Sequence, residues 1–337
     1  MLAFGESVRR LSLSLAVLCG MLAFAADGGQ APSASRPPII DVHVHALPAN
    51  AFGPPPIPTC AVNLTFLPRD PRDPYGFADF ASCAVPLTSP TTDEEVMRQT
   101  LQVMATYNVT AVVSGSIAAV RRWQAAAPPG RVIPALLSNG PVPVSTARTA
   151  AMGGTIKVLG ELGFQYNGLA PGDPVPESCF ALAEEFDLPV GVHVGPGSPG
   201  AAYVAMPKYR ASLSNPLLYE EALVKHPKLR LYIMHAGWPM GDAMLALLYA
   251  HPQVYVDIGV IDWFVPRPEF HSYLKRLVDA GFGKRIMFGS DQMIWPETMR
   301  LAIEGVESAA FLTPEQKRDI FHDNAARFLR LPLPLGD

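Results

Sequence analysis

The chain has little charge, little cysteine and no basic run, and each shortage narrows what it can do. Asp, Glu, Lys and Arg make up 17% of 337 residues, 26 basic against 30 acidic, for a formal charge of −4. A nucleic-acid or polyanion binder needs clustered Lys and Arg to neutralise phosphates, and no such cluster occurs. There are four cysteines, without a Cys-x-x-Cys or Cys–His spacing, which argues against a thiolate metal site. Beyond residue 24 no apolar stretch is long and charge-free enough to span a bilayer, which takes about 20 residues. At 49% apolar, the chain is also too hydrophobic to be disordered. Proline alone is in excess: 35 in all, ten of them between Pro48 and Pro90, where a usual share is ~5% of residues.

The first residues read as a leader. Arg9 and Arg10 precede an apolar run, Leu11 to Phe24, and Ala23-Phe24-Ala25 fits a small-x-small cleavage site. Residues 1–25 are therefore expected to be a secretory signal and 26–337 a single domain, exported to the periplasm or secreted. Cys19 follows Leu18, which does not suit lipoprotein processing. An oxidising compartment permits disulfides. Cys60 and Cys83 lie in the proline-rich segment, and a bridge between them would contribute about 3 kcal/mol on the chain-entropy account; free thiols are the alternative. Cys179 sits in a helical pattern and reads as a buried thiol.

Short apolar runs alternate with amphipathic stretches along the rest of the chain. The runs are 39–43, 109–114, 132–137, 156–161, 189–194, 229–235, 254–258 and 286–289. They are continuous rather than alternating, as parallel strands buried on both faces require. Helices are expected from Thr92, with Glu95 at the capping-box position, from Asn215-Pro216, and from Thr313-Pro314 to Leu329. Eight strand–helix pairs in about 300 residues predict a (β/α)8 TIM barrel with a long proline-rich loop after the first strand. A doubly wound sheet would carry a glycine-rich phosphate turn after that strand. The sequence there is Asp41-Val42-His43-Val44-His45.

The eight histidines divide into two groups. His226, His251, His271 and His322 fall at helix ends or in helical patterns and read as caps or packing. His43 and His45 end the first strand, His193 the fifth and His235 the sixth. Residues two apart on a strand share a face, so both imidazoles of the His-x-His pair can point to one place. The C-terminal ends of barrel strands carry the active site. Glu161 and Asp291 close the fourth and eighth strands at the same rim. Four imidazoles and two carboxylates crowded together are costly without a cation. Their chemistry suits a divalent metal, zinc first, with Mn, Fe or Co as alternatives.

These pieces resemble the amidohydrolase superfamily, in its amidohydrolase-related, metal-dependent TIM-barrel branch. The matching segments are Ile40–His45, Gly160-Glu161-Leu162-Gly163, Pro189–His193, His235-Ala236-Gly237, Phe288-Gly289-Ser290-Asp291 and Asn324–Leu329. The resemblance implies a metal bound by His43, His45 and Asp291, with His193 as a further ligand. Many relatives place a carboxylated lysine at the fourth strand, where Glu161 stands here as in binuclear relatives; Lys157, an even offset back, stays open as a ligand. His235 is then either a ligand of a second metal or the residue that orients the attacking water. One ion or two is open, with two favoured.

A divalent metal lowers the pKa of a coordinated water from 15.7 toward about 7. Asp291 is the expected proton acceptor and His235 its catalytic companion. The expected activity is hydrolysis of an amide, ester or lactone bond of a small molecule. Non-oxidative decarboxylation of an aromatic or unsaturated acid, with one metal, is the alternative on this scaffold, and an inactive exported binding protein is a third. Arg69 and Arg72 in the proline-rich loop, Tyr203 after the fifth strand and Trp238 after the sixth are candidate substrate contacts. Lys208, Tyr209, Asp242 and Asp262-Trp263-Phe264 lie on the same rim loops. No nucleic acid and, after leader removal, no membrane is expected as partner; a homo-oligomer stays open.

Overall fold

The computed structural model describes residues 36–331, apart from 63, 75, 77, 78, 80, 139–143 and 196. The expected leader lies outside the described residues. Eight parallel strands form the central sheet in sequence order: β1 (Ile39–Ala46), β2 (Val109–Gly115), β3 (Val132–Ser138), β4 (Val158–Leu162), β5 (Val190–His193), β6 (Leu231–Met234), β7 (Tyr255–Asp257) and β8 (Ile286–Met287). Seven neighbouring pairs are hydrogen-bonded in parallel. The Val42 N–H donates to Phe288 O at 3.0 Å, linking β1 to the end of β8 and bringing the sheet nearly closed into a barrel.

Each strand run predicts its element to within a few residues, because both faces are buried and the apolar signal is continuous. Helices include α1 (Asp93–Thr106), α2 (Ile117–Ala126), α3 (Val144–Met152) and α4 (Pro174–Glu185), which return the chain between strands. Thr92 caps α1 by accepting from the Glu95 N–H. The Glu95 carboxylate turns to Arg98 and Gln99 instead of completing the box. The reciprocal box forms at Thr313 with Gln316, where both bonds are present. Pro216 opens a 3₁₀ turn rather than a full helix.

The lumen below the rim is filled by Ile40, Val42, Val112, Ala135, Val158, Tyr232, Met234 and Met287, with Ala325, Ala326 and Phe328 of the C-terminal helix beneath. Burying each large side chain contributes about 1.5–3 kcal/mol. A Cβ on Gly191 would fall 2.4 Å from Cζ of Tyr232 and 2.6 Å from Cε of Met234, so only glycine fits on β5 below His193. β1 carries a register shift between Asp41 and Val44. Below it Ile40 and Val42 join the lumen cluster; above it Val44 and Ala46 join the outer core, leaving His43 and His45 for the rim.

The proline-rich segment is tied down at several points. Cys60 and Cys83 form a disulfide. Two short antiparallel ladders pair Pro58–Thr59 with Leu87–Thr88 and Thr65–Phe66 with Ala81–Ser82. Trp295 donates its indole N–H to Ile57 O at 2.8 Å, and the Phe52 ring stacks on it. Val62 N–H donates to Trp263 O at 2.8 Å. The loop after β1 is thus fastened to the loops after β7 and β8. Cys179 in α4 is a buried free thiol, its pKa pushed up to about 11 by burial. No described helix is long and apolar enough to cross a membrane.

Candidate metal centre

All six rim candidates converge, and all six are buried. His43 and His45 approach to 3.1 Å between their Nε2 atoms. Asp291 Oδ1 lies 2.9 Å from His45 Nε2 and 3.6 Å from His43 Nε2. On the other side, His235 Nε2 lies 3.0 Å from His193 Nδ1. Glu161 stands between the pairs. Its Oε2 is 3.7 Å from His43 Nε2 and 3.4 Å from His45 Nε2, while Oε1 contacts His193 Nδ1 and lies 3.5 Å from His235 Nε2. Each carboxylate oxygen of one side chain therefore faces a different histidine pair. Three ligand groups fall within metal-binding span: His43–His45–Glu161, Glu161–His193–His235 and His43–His235–Asp291.

Backbone and neighbouring side chains aim these groups. The His45 N–H donates to Gln292 Oε1 at 2.7 Å, and Gln292 Nε2 donates back to His45 O. Asp41 Oδ1 accepts from the N–H groups of His43 and Ser290. His235 Nδ1 faces Gly259 O at 2.9 Å; a carbonyl only accepts, so Nδ1 carries the proton and Nε2 presents its lone pair to the cluster. His193 Nε2 lies 3.1 Å from the Tyr166 hydroxyl, on a 3₁₀ turn after β4, and Gln165 Nε2 donates to His193 O. His235 and Asp291 hold positive φ, 57° and 47°. Such backbone costs about 1–3 kcal/mol at a non-glycine residue and is concentrated at functional sites.

The electrostatics fit a missing positive charge. Burial opposes protonation of His43, yet the charges of Asp291 and Asp257 outweigh it and hold its pKa well above the imidazole range. Burial likewise works against the Glu161 carboxylate, but His193 and its neighbours keep its pKa well below normal. Burial and the adjacent His235 push His193 down. Asp291 Oδ1 is buried without a hydrogen-bond partner among the described residues. Imidazole nitrogens with a shared carboxylate and an orphaned carboxylate oxygen fit a divalent cation.

Other candidates lie elsewhere. Lys157 precedes β4 and is exposed, so it does not share the Glu161 face; the strand begins only at Val158. Arg72 is 87% exposed and turned onto Asp70 at 2.9 Å, a local ion pair. Arg69 donates to Asp73 O and Pro74 O and pairs with Asp79 at 3.5 Å, serving its own loop. Tyr203 is exposed on a one-turn helix after β5. Trp238 follows His235 on the rim and donates its indole N–H to Glu269. Asp242 lies in the first turn of the helix Gly241–Ala250 and pairs with Arg276. Sequence reading passed over Asp257, Tyr166 and Gln292. Asp257 ends β7 much as Glu161 comes one residue before the end of β4, and that signal was available; nothing in the sequence marks Tyr166.

Comparison with known proteins agrees with this fold. The family model described as "Amidohydrolase" matches residues 40–331. An uncharacterized TIM-barrel protein from Bordetella bronchiseptica superposes with a TM-score of 0.57 at 17% identity, over 72% of this chain and 86% of that one. A probable 2-pyrone-4,6-dicarboxylic acid hydrolase from Acinetobacter baumannii, solved with citric acid bound, gives 0.54 at 12% identity, over 87% and 99%. The protein fluG of Emericella nidulans is 26% identical over 89 residues, a match spanning 26% of this chain and 10% of that protein.

Proposed function

The chain belongs to the amidohydrolase family, and from that premise we propose that it is a metal-dependent hydrolase cleaving an amide, ester or lactone bond of a small molecule. The observation that carries this reading is Glu161, whose two oxygens each face a different histidine pair. His43 and His45 with Asp291 would hold one divalent ion, and His193 with His235 a second, Glu161 bridging them. Zinc is the first expectation, with Mn, Fe or Co as alternatives. Bound there, the metal supplies Lewis acidity toward a substrate carbonyl and the attacking water at neutral pH.

The chain's own groups do the rest. Asp291 is buried, its Oδ1 2.9 Å from His45 Nε2 but in no hydrogen bond among the described residues, and it is the group that would accept the proton of the attacking water and return it to the leaving group. Gly259 O fixes the His235 tautomer, so Nε2 is the nitrogen that would ligate. Tyr166 lies between His193 and the Tyr209 ring, whose hydroxyl accepts from the Gly197 N–H. Substrate entering beside His193 therefore meets an aromatic wall. Export is supported by the leader pattern and is consistent with the Cys60–Cys83 disulfide.

Elemental analysis of the purified mature protein tests the proposal. Two metal equivalents per chain are expected. One equivalent, with CO2 released from an aromatic acid, would favour the decarboxylase instead. None, in folded protein grown with metal, would defeat both.

A further inference from the structure

Asp257 is fully buried at the end of β7, and its two oxygens reach two different metal-ligand histidines. Oδ1 accepts from the His235 N–H at 3.1 Å and the Gly259 N–H at 2.9 Å. Oδ2 lies 3.2 Å from His43 Nδ1. Oδ2 and that nitrogen are both buried without a hydrogen bond among the described residues, and at 3.2 Å each faces the other across an ion-pair contact. Two glycines make the approach possible. A Cβ on Gly259 would fall 2.9 Å from His43 Nδ1 and 3.3 Å from Asp257 Oδ1; one on Gly289 would fall 2.8 Å from His43 Cβ and 3.3 Å from Asp257 Cγ. At these two positions a side chain would intrude on the pair.

We propose that Asp257 is a positioning residue for metal binding, which holds the proton of His43 on Nδ1 so that Nε2 turns its lone pair to the cluster. The inference rests on the metal reading of the site given above. A carboxylate only accepts, so the imidazole nitrogen facing it must be the N–H. The Nε2 atom, 3.1 Å from His45 Nε2, is then unprotonated and available as a ligand. By contacting the backbone of His235 as well, the same carboxylate sets one ligand from each histidine pair. His45 has no such support: its carboxylate contacts, with Glu161 and Asp291, are both at Nε2.

The variant Asp257→Asn tests this. Its remaining oxygen keeps the two backbone N–H bonds, while the amide nitrogen replaces Oδ2 and presents a donor to His43 Nδ1. The imidazole must then move its proton to Nε2, the ligand atom. Isothermal titration of chelator-stripped protein with Zn²⁺ should show affinity reduced about 10–100-fold, the usual effect of removing such a support. Metal-induced stabilisation in a thermal melt should shrink in parallel. Unchanged affinity, with the melting temperature lowered equally in stripped and loaded protein, would mean a merely structural role and overturn the inference. If wild type itself takes up no Zn²⁺, it is the metal reading that fails. Should the variant not fold, long-range ¹H–¹⁵N spectra of the wild-type stripped protein, taken at a pH alkaline enough for His43 to be neutral, decide: a proton on His43 Nδ1 supports the assignment, and one on Nε2 overturns it.

Discussion

The two halves of the cluster are built differently. His43 and His45 lie within a strand, and behind them are Asp41 and Asp257 on strands and Ser290 and Gln292 just after β8, all buried and all in contact with them or with the segment carrying Asp291. His193 ends its strand, and its outward nitrogen meets Tyr166, a half-buried side chain on a short turn that stacks on Tyr209 of the next loop. The first half is set by the sheet, which must form for the protein to fold at all. The second depends on loops after β4 and β5, which can vary without disturbing the frame. A barrel of this kind can therefore keep its metal chemistry constant while rim loops choose the substrate.

The sharpest break of that contrast is in the strand-set half. Asp291→Asn keeps shape but loses the proton acceptor, and turnover should fall about 10²–10⁴-fold, the contribution of positioned acid–base catalysis. Metal content and far-ultraviolet circular dichroism should stay near wild type, since His43, His45 and Glu161 remain. Near-normal turnover on any substrate the wild type hydrolyses would remove Asp291 from the mechanism.

A smaller loss is expected in the loop-set half. Tyr166→Phe removes the hydroxyl 3.1 Å from His193 Nε2 but leaves the ring stacked on Tyr209. Metal affinity should drop about 10-fold, the low end for such outer contacts, because water can replace a partly exposed hydroxyl. A loss as large as that of Asp257→Asn would erase the distinction between the halves.

How much of this was legible in the sequence follows the same division. The eight strands read directly because strands buried on both faces leave continuous apolar runs, and the six ligand candidates because each ends or follows one. The supports were less visible. Asp257 meets His43 across 214 positions of chain, a pairing that only closure of the barrel creates. Lys157 shows the opposite error: its even offset from Glu161 held only if β4 began earlier, and the strand starts after it at Val158. The arginines' local partners were legible in part: Arg72 has Asp70 two residues away and is turned onto it.

The least effect, but one of definite sign, is in pH. In metal-free protein the His43 pKa is held well above normal by Asp291 and Asp257 against the cost of burial. Its stabilisation is then complete below about pH 6.5 and lost as pH rises through the raised folded value. Glu161 and Asp291 run the other way: with folded values depressed, their contribution is present above the ordinary carboxylate range and lost as pH falls through those lower values. Stripped protein should therefore lose melting temperature on the alkaline side. Metal displaces the His43 proton, so loaded protein gains affinity over the same interval. Against burial, Glu161 and Asp291 raise His235, which adds to the same slope, whereas His193, lowered by burial and His235, does not. The gap in melting temperature between loaded and chelated samples should widen from about pH 6 to pH 8.5, by at most about 1.4 kcal/mol per unit for each proton displaced. A gap that narrows over that interval would mean that no raised histidine proton competes with metal.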